Sequence, residues 1–243
     1  MVSSASYRAM EISAAKEAGE SRPTNACRDR ELIRLVGRHG LVTVRHVMTA
    51  MGVGQAITYR RVARCIEAGL LERHAILASE PSVLRATSAG LRFAGLVLPV
   101  ASISPANVNH TLRCAGTAIA TERGHPDWRI LTEREIVLAE QLEGRRIASV
   151  RIGIAHGKPC YHRADLAAFT EEGTIAAEVE LTPKSPVRLK KIISAWYRAP
   201  HIHRVDYLCA PGQTHRAVKR AVEKLRVVEE KIVVLERGEW AST

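Results

Sequence analysis

The run GQAITYRRVARCIEAGLL, residues 54–71, places Tyr59, Val62, Ile66 and Leu70 on one stripe at 3.6 residues per turn. That period predicts an amphipathic helix with these four residues inward. Gln55, Thr58, Arg61 and Arg64 fall on the opposite face. Gly69 closes the helix, because glycine accepts the left-handed conformation that ends many helices. An outward face of Gln, Thr and Arg suits the major groove of duplex DNA. There Arg bonds guanine bidentately and Gln does the same with adenine. Gln55, Thr58, Arg60, Arg61 and Arg64 are therefore read as DNA contacts.

The flanks extend the pattern. Residues 28–39 read as a helix with Leu32, Ile33, Leu35 and Val36 inward, ended by Gly40. Thr43 is placed to cap a short helix over residues 43–51, and residues 52–54 turn into the quoted stretch. Downstream, residues 71–77 and 82–86 flank 78–81 as a β-hairpin, and a helix restarts over residues 87–95. Three helices, a hairpin and a closing helix make a winged helix-turn-helix over residues 26–96. Arg45, Arg73 and Arg85 join the DNA-contact set. The phrase EAGLLER followed by a hairpin and TSAGLRFAGL resembles many regulators of that class.

Composition is compatible with this reading. A length of 243 residues is comfortable for two domains, and a formal charge of +11 with a pI near 9.9 favours a polyanionic partner. Aromatic residues make up only 4%, which argues against a platform that stacks single-stranded bases. The five cysteines are scattered without a C-x-x-C pair, as expected of reduced thiols without structural zinc. No apolar run approaches membrane-spanning length and no signal pattern follows Met1. The expected location is therefore cytoplasmic, on the nucleoid through DNA.

Residues 1–25 read as a flexible or helical arm that could serve a homodimer, and residues 97–106 as a linker with two prolines and no charge. Residues 107–243 then alternate in type. A helix spans 107–123. Strands follow at 128–138, 147–154, 161–169 and 174–181; 140–146 reads as a hairpin turn with 147–154 as its return strand, 157–159 as a break and 171–173 as a tight turn. Basic helices at 187–198 and 213–226 alternate with strands at 204–210 and 231–235. The fold class is α+β, the second half being an α/β domain with a mixed central sheet.

Chemistry concentrates on residues 174–181. There the period of two sets Ile175, Ala177, Val179 and Leu181 on one face and Ala176, Glu178 and Glu180 on the other. With Asp165 on the neighbouring strand, three carboxylates could cage magnesium, Asp165 and Glu178 being the first candidates as ligands. Such an ion would activate water against a phosphodiester. Among the histidines, His201 and His203 share one side of an extended segment but read as a surface loop near DNA.

The order of Arg163-Ala-Asp165 and Glu178-Val-Glu180 resembles the restriction-endonuclease-like fold, whose motif is Asp and then Glu-x-Lys on the next strand. Ala164 stands where that family usually has proline, and Glu180 stands where its catalytic lysine belongs. Lys184, Lys190 or Lys191 could supply a cation instead; the last two are also read as contacts to the DNA backbone. Over residues 28–234 the chain resembles the replication-relaxation family of plasmid and mobile-element proteins. The resemblance rests on EAGLLER, Asn109-His110-Thr111-Leu112, HRADLAAF, and AAEVELTPKSP followed by a basic helix with Trp196-Tyr197. It implies sequence-specific binding of duplex DNA by a regulator or accessory factor in replication, mobilisation or transcription. The alternative is a magnesium-dependent endonuclease that uses Asp165, Glu178 and Glu180, with Lys184 as the cation. No cofactor is expected unless the second domain cuts.

Overall fold

The computed structural model describes residues 24–76, 81–228 and 230–236. Residues 1–23 of the expected arm at 1–25 and residues 78–80 of the expected turn at 78–81 lie outside them. The fold is mixed α+β. Its N-terminal part runs α1 (Asn25–His39), β1 (Val42–Thr43), α2 (Val44–Met51), α3 (Gln55–Glu67), β2 (Leu71–His74), β3 (Val83–Ala86) and α4 (Ser88–Phe93). Each boundary has a local cause. The Thr24 hydroxyl accepts from the Cys27 amide to start α1. Thr43 and His46 cap each other across the first turn of α2, and Gly52 ends it at φ 62. β3 pairs antiparallel with both β1 and β2, giving a three-stranded sheet in the order β1-β3-β2. Leu32, Ile33, Val36, Val47, Val62, Leu71, Leu84 and Leu91 fill the core between helices and sheet.

α5 (Pro105–Gly124) follows, starting two residues before the sequence placed it because Ser104 and Pro105 form its N-terminus. This helix serves two cores. Ala115 packs with Leu32 and Val47, whereas Ala118 packs with Ile130, Leu166 and Ile175 of the second half. Beyond it come β4 (Arg129–Thr132), α6 (Glu133–Glu143), β5 (Ser149–Ala155), β6 (Lys158–Arg163), β7 (Leu166–Phe169) and β8 (Thr174–Glu180). α7 (Pro186–Tyr197), β9 (Arg204–Cys209), α8 (Gln213–Leu225) and β10 (Ile232–Glu236) complete the chain. The main sheet is mixed, in the order β10-β9-β8-β7-β4. β8, β9 and β10 are parallel; β7 is antiparallel to both β8 and β4. One face of the sheet buries Ala176, Val205 and Tyr207 against Ile192, Ile193 and Trp196 of α7 and Val218 of α8. α5 covers the other face.

Three readings differ from the structure, the first being the expected hairpin of 128–138 with 147–154: β4 pairs with β7, β5 with β6, and residues 140–143 of the expected turn are helical. The expected strand at 128–138 stops at Thr132. Its hydroxyl accepts from the Glu135 amide while Glu135 returns a bond to the Thr132 amide, and this reciprocal cap starts α6. The expected strand at 161–169 is two strands. The Ala164 amide donates to Ala148 beside β5, whereas the Asp165 amide donates to Ala177 on β8. The chain therefore changes sheets between those two residues. β5 and β6 form a separate hairpin through His156 and Gly157, both at positive φ.

Candidate functional site

α3 does not present the face that its period implied. Thr58, Arg61, Val62 and Cys65 are the buried side, while Ile57 and Tyr59 are 45% and 43% exposed. The stripe is rotated because two polar side chains find partners inside. The Thr58 hydroxyl donates back to the Gly54 carbonyl. Arg61 reaches Asp29 on α1 at 2.8 Å, and Arg64 grips both oxygens of the same carboxylate at 2.6 and 2.8 Å. Thr58 and Arg61 are thus withdrawn from solvent, a correction to their reading as DNA contacts. The reason is Asp29, whose charge makes burial of a guanidinium tolerable. Arg64 stays half exposed but is committed to that ion pair.

Besides Arg64, what α3 offers to solvent is Gln55, Ala56, Ile57, Tyr59, Arg60, Ala63 and Glu67. Arg73, exposed on β2, lies with its guanidinium 5.8 Å from the Tyr59 ring centre, so hairpin and helix meet in one basic, aromatic edge. Arg45 is exposed on α2. Arg85 is not free: it is half-buried, paired with Glu72 and bonded to the Ala101 carbonyl. In the second half, Arg151, Lys190, Lys191 and Arg198 line an open groove of about 650 Å³ between β5 and α7, with no carboxylate among the described residues of its walls.

The three expected carboxylates lie on or beside β7 and β8, each already engaged. Asp165 Oδ2 accepts from the Val179 amide at 2.7 Å and faces His110 Nε2 at 3.3 Å. That bond to Asp165 raises the His110 pKa, against the cost of burial. Glu178 is 1% exposed, and its Oε1 accepts from both His162 Nε2 at 2.8 Å and Trp196 Nε1 at 3.0 Å. Burial pushes the Glu178 carboxyl up, partly countered by His162. Burial disfavours the His162 cation, but the neighbouring Glu178 outweighs it and raises that pKa too. Glu180 is buried and paired with Lys184, the lysine that follows it by one helical turn's length of chain.

His162 and Trp196 belong to this site although neither was assigned a part in it. Only the folded register brings residues 162 and 196 to position 178. A further constellation could have been found in the sequence: His110 and Cys114 stand four apart on a helix, the spacing that sets two side chains on one face. Comparing histidines with histidines alone misses it. No protein-family model matches the chain, and no curated protein matches it either.

Proposed function

We propose that this protein binds duplex DNA through a winged helix-turn-helix and acts as a regulator or accessory factor rather than as a nuclease. The observation that carries the reading is the order α1-β1-α2-α3-β2-β3 with β1 paired to β3. In that order α3 follows a three-residue turn and keeps Gln55, Tyr59 and Arg60 exposed. A helix carried this way enters the major groove, and the hairpin with Arg73 follows the adjoining backbone. The basic groove of Arg151, Lys190, Lys191 and Arg198 supports a second line of phosphate contacts. The role in plasmid or mobile-element replication, mobilisation or transcription is the one that the replication-relaxation resemblance suggests.

Cleavage is disfavoured by the state of the carboxylates. Glu178 spends one oxygen on His162 and Trp196, and Glu180 replaces the lysine that would meet the developing phosphate charge. A magnesium-dependent endonuclease is the second reading. It is favoured by Lys184, which returns an ammonium to Glu180 beside Asp165 and Glu178 in the mixed five-stranded sheet.

Fluorescence anisotropy on fragments selected from a random duplex pool tests the first reading. Arg60→Ala should weaken binding by about 1–3 kcal/mol, and Lys190→Glu with Lys191→Glu should flatten the salt dependence. Wild-type affinity in both variants would overturn the interface. Magnesium-dependent nicking by wild type, lost in Glu178→Ala, would instead promote the endonuclease.

A further inference from the structure

His110 and Cys114 on α5 and Asp165 at the head of β7 are, among the described residues, the one group of three or more ligand-type side chains whose donor atoms lie within 4.8 Å of one another. Their separations approach those around a particular ion. Zinc held at about 2.0 Å from nitrogen and oxygen and about 2.3 Å from sulfur, in a tetrahedron, requires N···O near 3.3 Å and N···S near 3.5 Å. His110 Nε2 lies 3.3 Å from Asp165 Oδ2 and 3.9 Å from Cys114 Sγ. Cys114 Sγ also lies 3.7 Å from His110 Nδ1, so it must swing toward Nε2 to reach the separation zinc requires.

The surroundings fit a metal as well. The Val179 amide holds the Asp165 carboxylate in place at 2.7 Å, the kind of supporting bond that orients a ligand. His110 Nε2 lies 3.1 Å from the Val179 carbonyl, an interaction it would exchange for the ion. All three side chains line a cleft of about 220 Å³ between the two halves of the molecule. His39, almost fully buried and with no hydrogen-bond partner for its Nε2 among the described residues, lines the same cleft, as does Glu133.

We infer that His110, Cys114 and Asp165 form a three-ligand site for a borderline-soft divalent ion of the zinc class, with its fourth position open to the interdomain cleft. The donor set separates this site from magnesium chemistry. Magnesium takes oxygen ligands in an octahedron, whereas a thiolate and an imidazole select zinc or cobalt. Binding converts the Cys114 thiol to the thiolate, its proton passing to solvent. The sulfur sits on the wall of a site shared by both halves, so the ion would tie α5 to β7 where the two cores meet.

Cobalt(II) titrated into the full, reduced chain tests this directly, because a cobalt–thiolate bond gives an intense near-ultraviolet charge-transfer band. One ion per chain is expected, with the band abolished in Cys114→Ser and retained in Cys160→Ser and Cys27→Ser. Zinc should displace the cobalt, and excess magnesium should not. His110→Ala and Asp165→Asn should each weaken cobalt binding by more than about tenfold while the circular dichroism stays that of the wild type. A band surviving in Cys114→Ser, no band at all at one equivalent of cobalt, or ready displacement by magnesium would each overturn the site.

Discussion

Arg60 and Arg61 are neighbours in the chain and opposite in role. Arg61 lies in the interior against Asp29, and Arg60 points to solvent. Removing the shared carboxylate leaves a buried guanidinium without a counter-charge, which typically costs about 3–5 kcal/mol. Asp29→Ala should therefore lower the midpoint of chemical denaturation markedly, and Arg60→Ala should leave it within about 0.5 kcal/mol of wild type. Parallel urea titrations of the two variants check this, and similar midpoints would mean that the Asp29 cluster contributes little. The sequence could not show the difference. The helix and its position were legible from period and caps, but Asp29 sits 32 residues from Arg61, and only the packing of α1 against α3 makes it a partner. A period argument counts Thr and Arg as outward; it cannot see a hydroxyl that bonds its own backbone or a charge that is matched inside.

At the scale of elements, close approaches decide what each joint tolerates. Gly90 on α4 lies so near the Leu70 carbonyl, at the turn into β2, that an added methyl would fall well inside van der Waals contact with backbone. The Thr87 amide and hydroxyl bond to that same carbonyl, so it has no room to retreat. Gly90→Ala is therefore expected to destabilise the N-terminal half by about 3 kcal/mol, the upper end of overpacking costs, although alanine favours helices. Thermal denaturation followed by circular dichroism measures it, and an unchanged or raised midpoint would show that α4 can shift. Element order was largely readable, since turn glycines, caps and alternation mark β8, α7, β9 and α8 where they lie. The misreadings fell at 128–138 and 161–169. In both, apolar alternation runs across a boundary that one hydrogen bond sets: the Thr132–Glu135 cap, and the Asp165 amide turning to Ala177. The candidate metal ligands were half legible, because the His110–Cys114 spacing is local but Asp165 joins them only through the fold.

For the whole molecule, the junction of the two halves is where charge and burial meet. Arg38 on α1 salt-bridges Glu122 of α5 at 3.0 Å and Glu135 of α6 at 2.8 Å, and also donates to the Ile130 carbonyl. The Thr132 hydroxyl donates back to the Arg38 carbonyl, and Arg123 and Arg134 reach the carbonyls of Thr49 and Pro99. His39 sits within this seam, buried. Burial, with Arg38, His46 and Arg134 close by, depresses its pKa to about 3. In the unfolded chain the imidazole titrates near its ordinary 6.5. The unfolded state therefore binds the proton first, and stability present above pH 6.5 is lost as pH falls toward 3. The loss from this residue is on the order of 4 kcal/mol across that window. Urea denaturation at a series of pH values, in the presence of a chelator so that no metal contributes, should show this decline. His39→Leu should flatten it by removing the proton acceptor while keeping a buried side chain at that position. If the variant loses stability between pH 6.5 and 3 as steeply as wild type, the acid sensitivity belongs to the carboxylates and not to the seam. If it flattens and the two halves of wild type separate into distinct unfolding steps at low pH, then His39 is the residue through which acid uncouples the N-terminal helices from the mixed sheet.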